Sequence, residues 1–181
     1  TVSDGTNTTS YEYDSANQLI RENNQAGGFT HTWTYDNAGN ITSRKEYAYT
    51  TGSLEGITAA STVSYTYGDS DWGDLLTGYG SNNITYDTIG NPLSDGEWSY
   101  VWQHGRQLAS MSQGTTTWAY TYDADGMRTG RTDGTNAYTY VYNGSKLTAM
   151  TKGTDAFAFT YDASGTPLTV AYNGTVYYYK T

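Results

Sequence analysis

One short pattern constrains this chain more than any other: Tyr-Asp, two free positions, then Gly or Asn. It occurs at Tyr13-Asp14, Tyr35-Asp36, Tyr86-Asp87, Tyr122-Asp123 and Tyr161-Asp162. Looser copies fall at Tyr67, Tyr100, Tyr142 and Tyr179, so the anchoring tyrosines are Tyr13, Tyr35, Tyr67, Tyr86, Tyr100, Tyr122, Tyr142, Tyr161 and Tyr179. Their period is about 20 residues, the range of stacked supersecondary repeats. The stretch from Trp118 to Lys152 shows the unit most fully. Aromatic residues lead into each anchor at every second position, as in Trp118, Tyr120, Tyr122 and in Tyr138, Tyr140, Tyr142. A period of two puts them on one face of a strand.

The residues after each anchor have turn chemistry. Asp14, Asp36, Asp87, Asp123 and Asp162 are suited to accept backbone amides, and Gly39, Gly90, Gly126 and Gly165 to take positive φ. Asp95-Gly96, Asp133-Gly134, Asn143-Gly144 and Asn173-Gly174 suit tight type I′ hairpin turns. Tight turns alternating with short aromatic strands predict an all-β protein of tandem antiparallel hairpins, joined edge to edge into one long twisted and curled sheet. The sequence reads as a single repeat segment over 1–181, interrupted by an irregular insertion at 46–64. There Leu54, Ile57, Ala59 and Ala60 suit either a helical turn or two, or a long hairpin loop. The repeat resumes on both sides, so no domain boundary is expected at that point.

With 20 Tyr and 5 Trp, one face of such a sheet carries many large rings. Each ring buries roughly 150–250 Å² when covered, and leaving the whole set bare invites association. The face is therefore expected to curl onto itself, meet a second copy, or be covered by other parts of a longer protein. Self-association of the isolated segment, as a dimer, is the preferred expectation. The N-terminus lacks an initiator Met and a basic-then-apolar leader, which reads as a piece cut from something longer.

Charge narrows the partners. Lys plus Arg is 9 against 18 for Asp plus Glu, a net of −9. A nucleic-acid surface needs concentrated positive charge, and none is visible. There is no Cys, so thiolate metal sites and disulfides within the chain are excluded. No apolar run reaches membrane-spanning length, so no membrane insertion is expected.

No catalytic, cofactor or metal residue is assigned. His31 and His104 are the only histidines, and no metal-ligand, nucleophile-elbow or phosphate-loop motif accompanies them. The recurring Asp14, Asp36, Asp87, Asp123 and Asp162 could stack as calcium ligands, but capping of their own turns is the simpler reading; Asp69, Asp71 and Asp74 are the better calcium candidates, although they lack the full twelve-residue EF-hand pattern. Trp72, Trp98 and Trp102 fall outside the regular stripes and are the candidates for stacking on glycans, against a structural reading that weighs more. Sequons at Asn7, Asn40, Asn83, Asn143 and Asn173 follow from Asn-rich turns beside Thr-rich strands.

The pattern as a whole resembles the RHS/YD-repeat family. The matching stretches are Trp33–Asn40, Ile84–Asn91, Tyr120–Arg128 and Phe159–Gly165, with Tyr11–Asp14 a shorter match. Tyr67 is followed by Gly68 and Tyr100 by Val101, so those two units depart from the pattern. The resemblance implies a strip of β-hairpins that spirals into a hollow shell. It implies a large secreted or surface bacterial protein, wall-associated in some relatives, whose shell encloses a variable C-terminal toxin; teneurins carry a similar shell in animals. It implies a non-catalytic wall segment here, bordering a self-cleaving region that would begin near Tyr177–Tyr179. An extracellular carbohydrate- or cell-surface-binding module is the alternative.

Overall fold

The protein is described by a computed structural model over residues 1–180. Its described residues form no helix, and its strands order themselves into two antiparallel meanders. The first sheet runs β1 (Val2–Ser3), β2 (Thr8–Tyr13), β3 (Leu19–Asn24), β4 (Phe29–Tyr35), β5 (Ile41–Ala48), β6 (Ser61–Thr66), β7 (Gly78–Tyr79) and β8 (Asn82–Asn83), each strand beside the next. The second begins with β9 (Thr85–Tyr86), β10 (Pro92–Ser94), β11 (Ser99–Gln103), β12 (Gln107–Gln113), β13 (Thr116–Tyr122) and β14 (Arg128–Thr132). It continues through β15 (Ala137–Asn143), β16 (Lys146–Lys152), β17 (Asp155–Tyr161), β18 (Pro167–Tyr172) and β19 (Thr175–Tyr178).

The hairpin reading is thus correct, but the expectation of one continuous sheet is not. The chain divides into two compact units, Thr1–Thr85 and Tyr86–Thr181. The break falls after the degraded third repeat, just inside the intact copy at Ile84–Asn91. Gly68 replaces the turn Asp after Tyr67, and β7, β8 and β9 are only two residues long. Such short pairings offer too few ladder bonds to carry a sheet onward.

Residues 46–64 form neither a helix nor an isolated insertion. Residues 46–48 complete β5, residues 61–64 begin β6, and 49–60 form the hairpin loop between them. Side chains of the first unit pin that loop. Arg21 Nη2 donates to the carbonyls of Thr50 (2.9 Å) and Gly52 (2.8 Å). Thr30, fully buried, donates through Oγ1 to the Thr50 carbonyl (2.9 Å) and accepts the Thr50 amide (3.0 Å). Asn23, also buried, donates to Ser10 Oγ and accepts from Arg21 Nε, so none of these polar groups is left unsatisfied.

Apolar packing is thin. Tyr47 is the one large hydrophobic buried among the described residues. Stability comes instead from cross-strand ladders of half-covered rings. In β15, Tyr138, Tyr140 and Tyr142 are half-buried while Ala137, Thr139 and Val141 between them are exposed. The two faces therefore differ: one aromatic, one of small residues.

Candidate functional site

The most organised arrangement of side chains is the repeat anchor itself. Just before five of the anchors the register slips by one residue, between Glu12 and Tyr13, Thr34 and Tyr35, Thr121 and Tyr122, Val141 and Tyr142, and Thr160 and Tyr161. A β-bulge of this kind bends the strand and re-aims a side chain. Here it swings the phenol across to the preceding repeat. Tyr35 Oη donates to the Leu19 carbonyl (2.7 Å), Tyr67 to Ile41 (3.0 Å), Tyr122 to Leu108 (2.9 Å) and Tyr161 to Leu147 (2.7 Å). Every acceptor is the first apolar residue after the turn of the repeat before. Where it forms, the bond couples a repeat to its neighbour, the nearest-neighbour term on which repeat arrays depend. Burial raises the pKa of Tyr35, Tyr67 and Tyr86 above the ordinary phenol value, so the phenols remain donors.

Two anchors assigned from sequence are displaced. In the fifth repeat the register slip lies between Val101 and Trp102, which makes Trp102 the anchor in place of Tyr100. Trp102 Nε1 donates to the Pro92 carbonyl at 2.6 Å, the same inter-repeat bond made with an indole. Tyr100 instead donates to Asp95 Oδ2 at 2.7 Å. Burial, then that hydrogen bond, pushes its phenol up to about 12. In the ninth repeat, pairing of Tyr177 with Val170 matches that of Phe157 with Met150. Tyr179 therefore holds the place of Phe159, not that of an anchor. A Tyr-x-Tyr or Tyr-Tyr-Tyr string does not say which ring follows the bulge; register decides it.

Tyr13 is 58% exposed, against half-buried Tyr86 and Tyr142 within the array.

Asp14, Asp36, Asp87, Asp123 and Asp162 each accept, through Oδ1, the amides two and four residues on. Gly39, Gly90, Gly126 and Gly165 have φ from 82° to 93°, and Asn17 takes the same position with φ 60°. A hydrogen bond from the Asn40 side chain, then the Asn40 amide, holds the Asp36 carboxyl below its usual range. The Ser164 hydroxyl, then the Thr166 amide, does the same for Asp162.

The two-residue turns differ from expectation. Only Asn173-Gly174 has positive φ at both central residues, as type I′ requires. At Gly144-Ser145, between the paired Asn143 and Lys146, only the first central φ is positive, the pattern of type II′. The same holds at Gly134-Thr135, closed by the Asp133 amide on the Asn136 carbonyl, and at Gly96-Glu97, closed by Asp95 on Trp98. Asp133 and Asp95 sit one place outside the loop because each carboxylate caps two amides beyond it.

The remaining candidates do not form one site. Trp72 is 48% exposed in the first unit, whereas Trp98 and Trp102 are half-buried in the second. Asp69 Oδ1 accepts the amides of Asp71 and Trp72, and among the described residues no three acidic or imidazole groups converge as metal ligands. His31 Nε2 lies 2.9 Å from Glu46 Oε2, with its ring against Phe29. His104 has φ 45° in a turn, beside Gln107. Two shallow hollows of about 230 and 330 Å³ lie over Gly130 and over Ala149, Ala158 and Ala171; neither gathers an acid–base pair.

The sequence reading missed the cations of the second unit. Arg131 lies over the rings of Trp118 (4.9 Å) and Tyr138 (4.2 Å), and Arg128 over Tyr120 (5.5 Å) and Tyr140 (5.9 Å). Residues three apart on a regular strand face opposite ways. The bulge that skips Thr129 returns both guanidiniums to the aromatic face.

No family model matches the chain. Two curated proteins are similar to it: the tRNA3(Ser)-specific nuclease WapA of Bacillus spizizenii and the tRNA nuclease WapA of Bacillus subtilis. Each is 29% identical over 141 residues, covering 75% of this chain. The chain spans only 5% of the length of either. Among solved structures, TcdB2-TccC3 without its hypervariable C-terminal region matches 97% of this chain and 10% of its own length, with a TM-score of 0.51 at 14% identity. That second likeness is one of fold.

Proposed function

Because this chain belongs to the RHS/YD-repeat family, we propose that it is a length of shell wall, a non-catalytic scaffold that encloses a toxin or effector domain of a larger protein. The observation that carries this reading is the inter-repeat bond. Tyr35, Tyr67, Trp102, Tyr122 and Tyr161 each tie one hairpin to the hairpin before it. Side chains that recur along the repeats are engaged in joining them, which suits a wall, and among the described residues no three acidic or imidazole groups converge as metal ligands. Its partners are then neighbouring repeats and the enclosed domain, with neither nucleic acid nor a bilayer among them. Its place is outside the cell or on the cell surface. Cut free of its neighbours, the segment exposes strand edges and rings, and it self-associates as a dimer.

The test is electron microscopy of this segment together with its flanking sequence, combined with limited proteolysis. A hollow particle that protects an internal domain supports the reading; an open strip with every domain cleavable overturns it. The exposed Trp72 favours a second reading, a glycan-binding surface. A glycan array probed with the wild type and with Trp72→Ala checks it, and equal binding by both proteins removes it.

A further inference from the structure

In the second unit most carboxylates and a group of three cations occupy different places. In the second unit the carboxylates serve hairpin ends. Asp95, Asp123, Asp133 and Asp162 cap amides, and Asp155 accepts from Tyr172 and Asn173. Three cations lie on the aromatic face, Lys152 among them as the cross-strand partner of Asp155. Arg131 is stacked between Trp118 and Tyr138, Arg128 lies over Tyr120 and Tyr140, and Lys152 Nζ is 5.9 Å from the centre of the Tyr138 ring. Among the described residues none of the three is within ion-pair distance of a carboxylate, and Arg131 Nε is buried with no hydrogen-bond partner. The face is positive and aromatic in a chain whose net charge is −9.

The complement is present in the first unit. The loop Asp69–Asp74 is exposed and holds three carboxylates around Trp72. Only Asp69 is engaged, by the amides of Asp71 and Trp72. The Asp71 and Asp74 carboxylates accept no hydrogen bond among the described residues. Trp, Tyr and Arg are the residues that dominate association energy where they meet desolvated, and opposite charge fixes the pairing.

We propose that the cation–aromatic face of one copy, built from Arg128, Arg131, Lys152, Tyr138 and Tyr140, receives the Asp69–Asp74 loop of a second copy, with Trp72 set against the rings. The proposal rests on the self-association reading above and names its surfaces. Each copy carries both halves, so a two-fold dimer makes the contact twice.

The test uses two charge-reversal variants at exposed positions, R128E/K152E and D71K/D74K, whose fold is checked by circular dichroism. Sedimentation velocity of the wild type is expected to show dimer that weakens towards about 1 M salt, where screening acts within roughly 3 Å. Each variant alone should associate at least about tenfold more weakly. An equimolar mixture of the two should recover a dimer, because every contact then pairs opposite charges. Dimerisation of both variants at the wild-type level, or failure of the mixture to recover, overturns these surfaces and leaves self-association standing. A wild type that is monomeric at every concentration overturns both. Loss of polygalacturonate binding by R128E/K152E with dimerisation intact would assign the face to an acidic glycan and end the proposal.

Discussion

Replacing Trp102 separates the two roles that its chemistry allows. The indole N–H donates to the Pro92 carbonyl at 2.6 Å, in the place where other repeats use a phenol. Trp102→Phe keeps an aromatic ring but removes the donor and leaves a partly buried carbonyl without it. An orphaned buried polar group costs about 1–3 kcal/mol, and the smaller ring adds a packing loss of similar sign. Trp102→Tyr restores a hydroxyl donor and regenerates the arrangement of Tyr122 on Leu108, so its cost should be about 1 kcal/mol less. For a unit of this size each kcal/mol shifts the melting temperature by about 4–8 °C. Thermal melts of the three proteins are therefore expected in the order wild type, Trp102→Tyr, Trp102→Phe. Hydrogen exchange should quicken first in β10 to β12, since repeat stability is local. Equal melting of Trp102→Phe and wild type would refute the anchor assignment, as would a Trp102→Tyr no better than Trp102→Phe.

Three further outcomes are expected. The Asp36 and Asp162 carboxyls are held below the ordinary 3.8 by their turn bonds, so each contributes stability above that pH which is lost as pH falls through the lowered value. Acid melts of Asp36→Asn and Asp162→Asn should accordingly be flatter than wild type, and identical slopes would count against the caps. The Tyr100 phenol is raised from 10.0 to about 12, so its contribution is whole below pH 10 and declines as pH rises through the raised value; Tyr100→Phe should remove that alkaline loss in denaturation followed by fluorescence. At Gly130 a Cβ would sit 2.7 Å from Thr121 Oγ1 and 2.9 Å from the Tyr138 carbonyl, so Gly130→Ala should cost about 1–3 kcal/mol in urea unfolding, because the backbone oxygen cannot rotate away.

Local chemistry alone determined much of this protein. A two-residue aromatic period, Asp at the first turn position and Gly or Asn three later specify strand, cap and positive φ without reference to distant residues, so the hairpins and their Asp14-to-Asp162 caps were legible in the sequence. What tertiary structure decided is register. A one-residue bulge makes Trp102 the anchor and Tyr100 a partner of Asp95 and places Arg128 beside Arg131, while the pairing of Tyr177 with Val170 puts Tyr179 in the place of Phe159. Register also determines where the ladder ends, dividing the chain into two sheets across the short strands around Tyr79 and Asn83. The physical reason is that a strand's side-chain alternation is written in its own residues, whereas the residue it faces depends on how many positions the neighbouring strand skips.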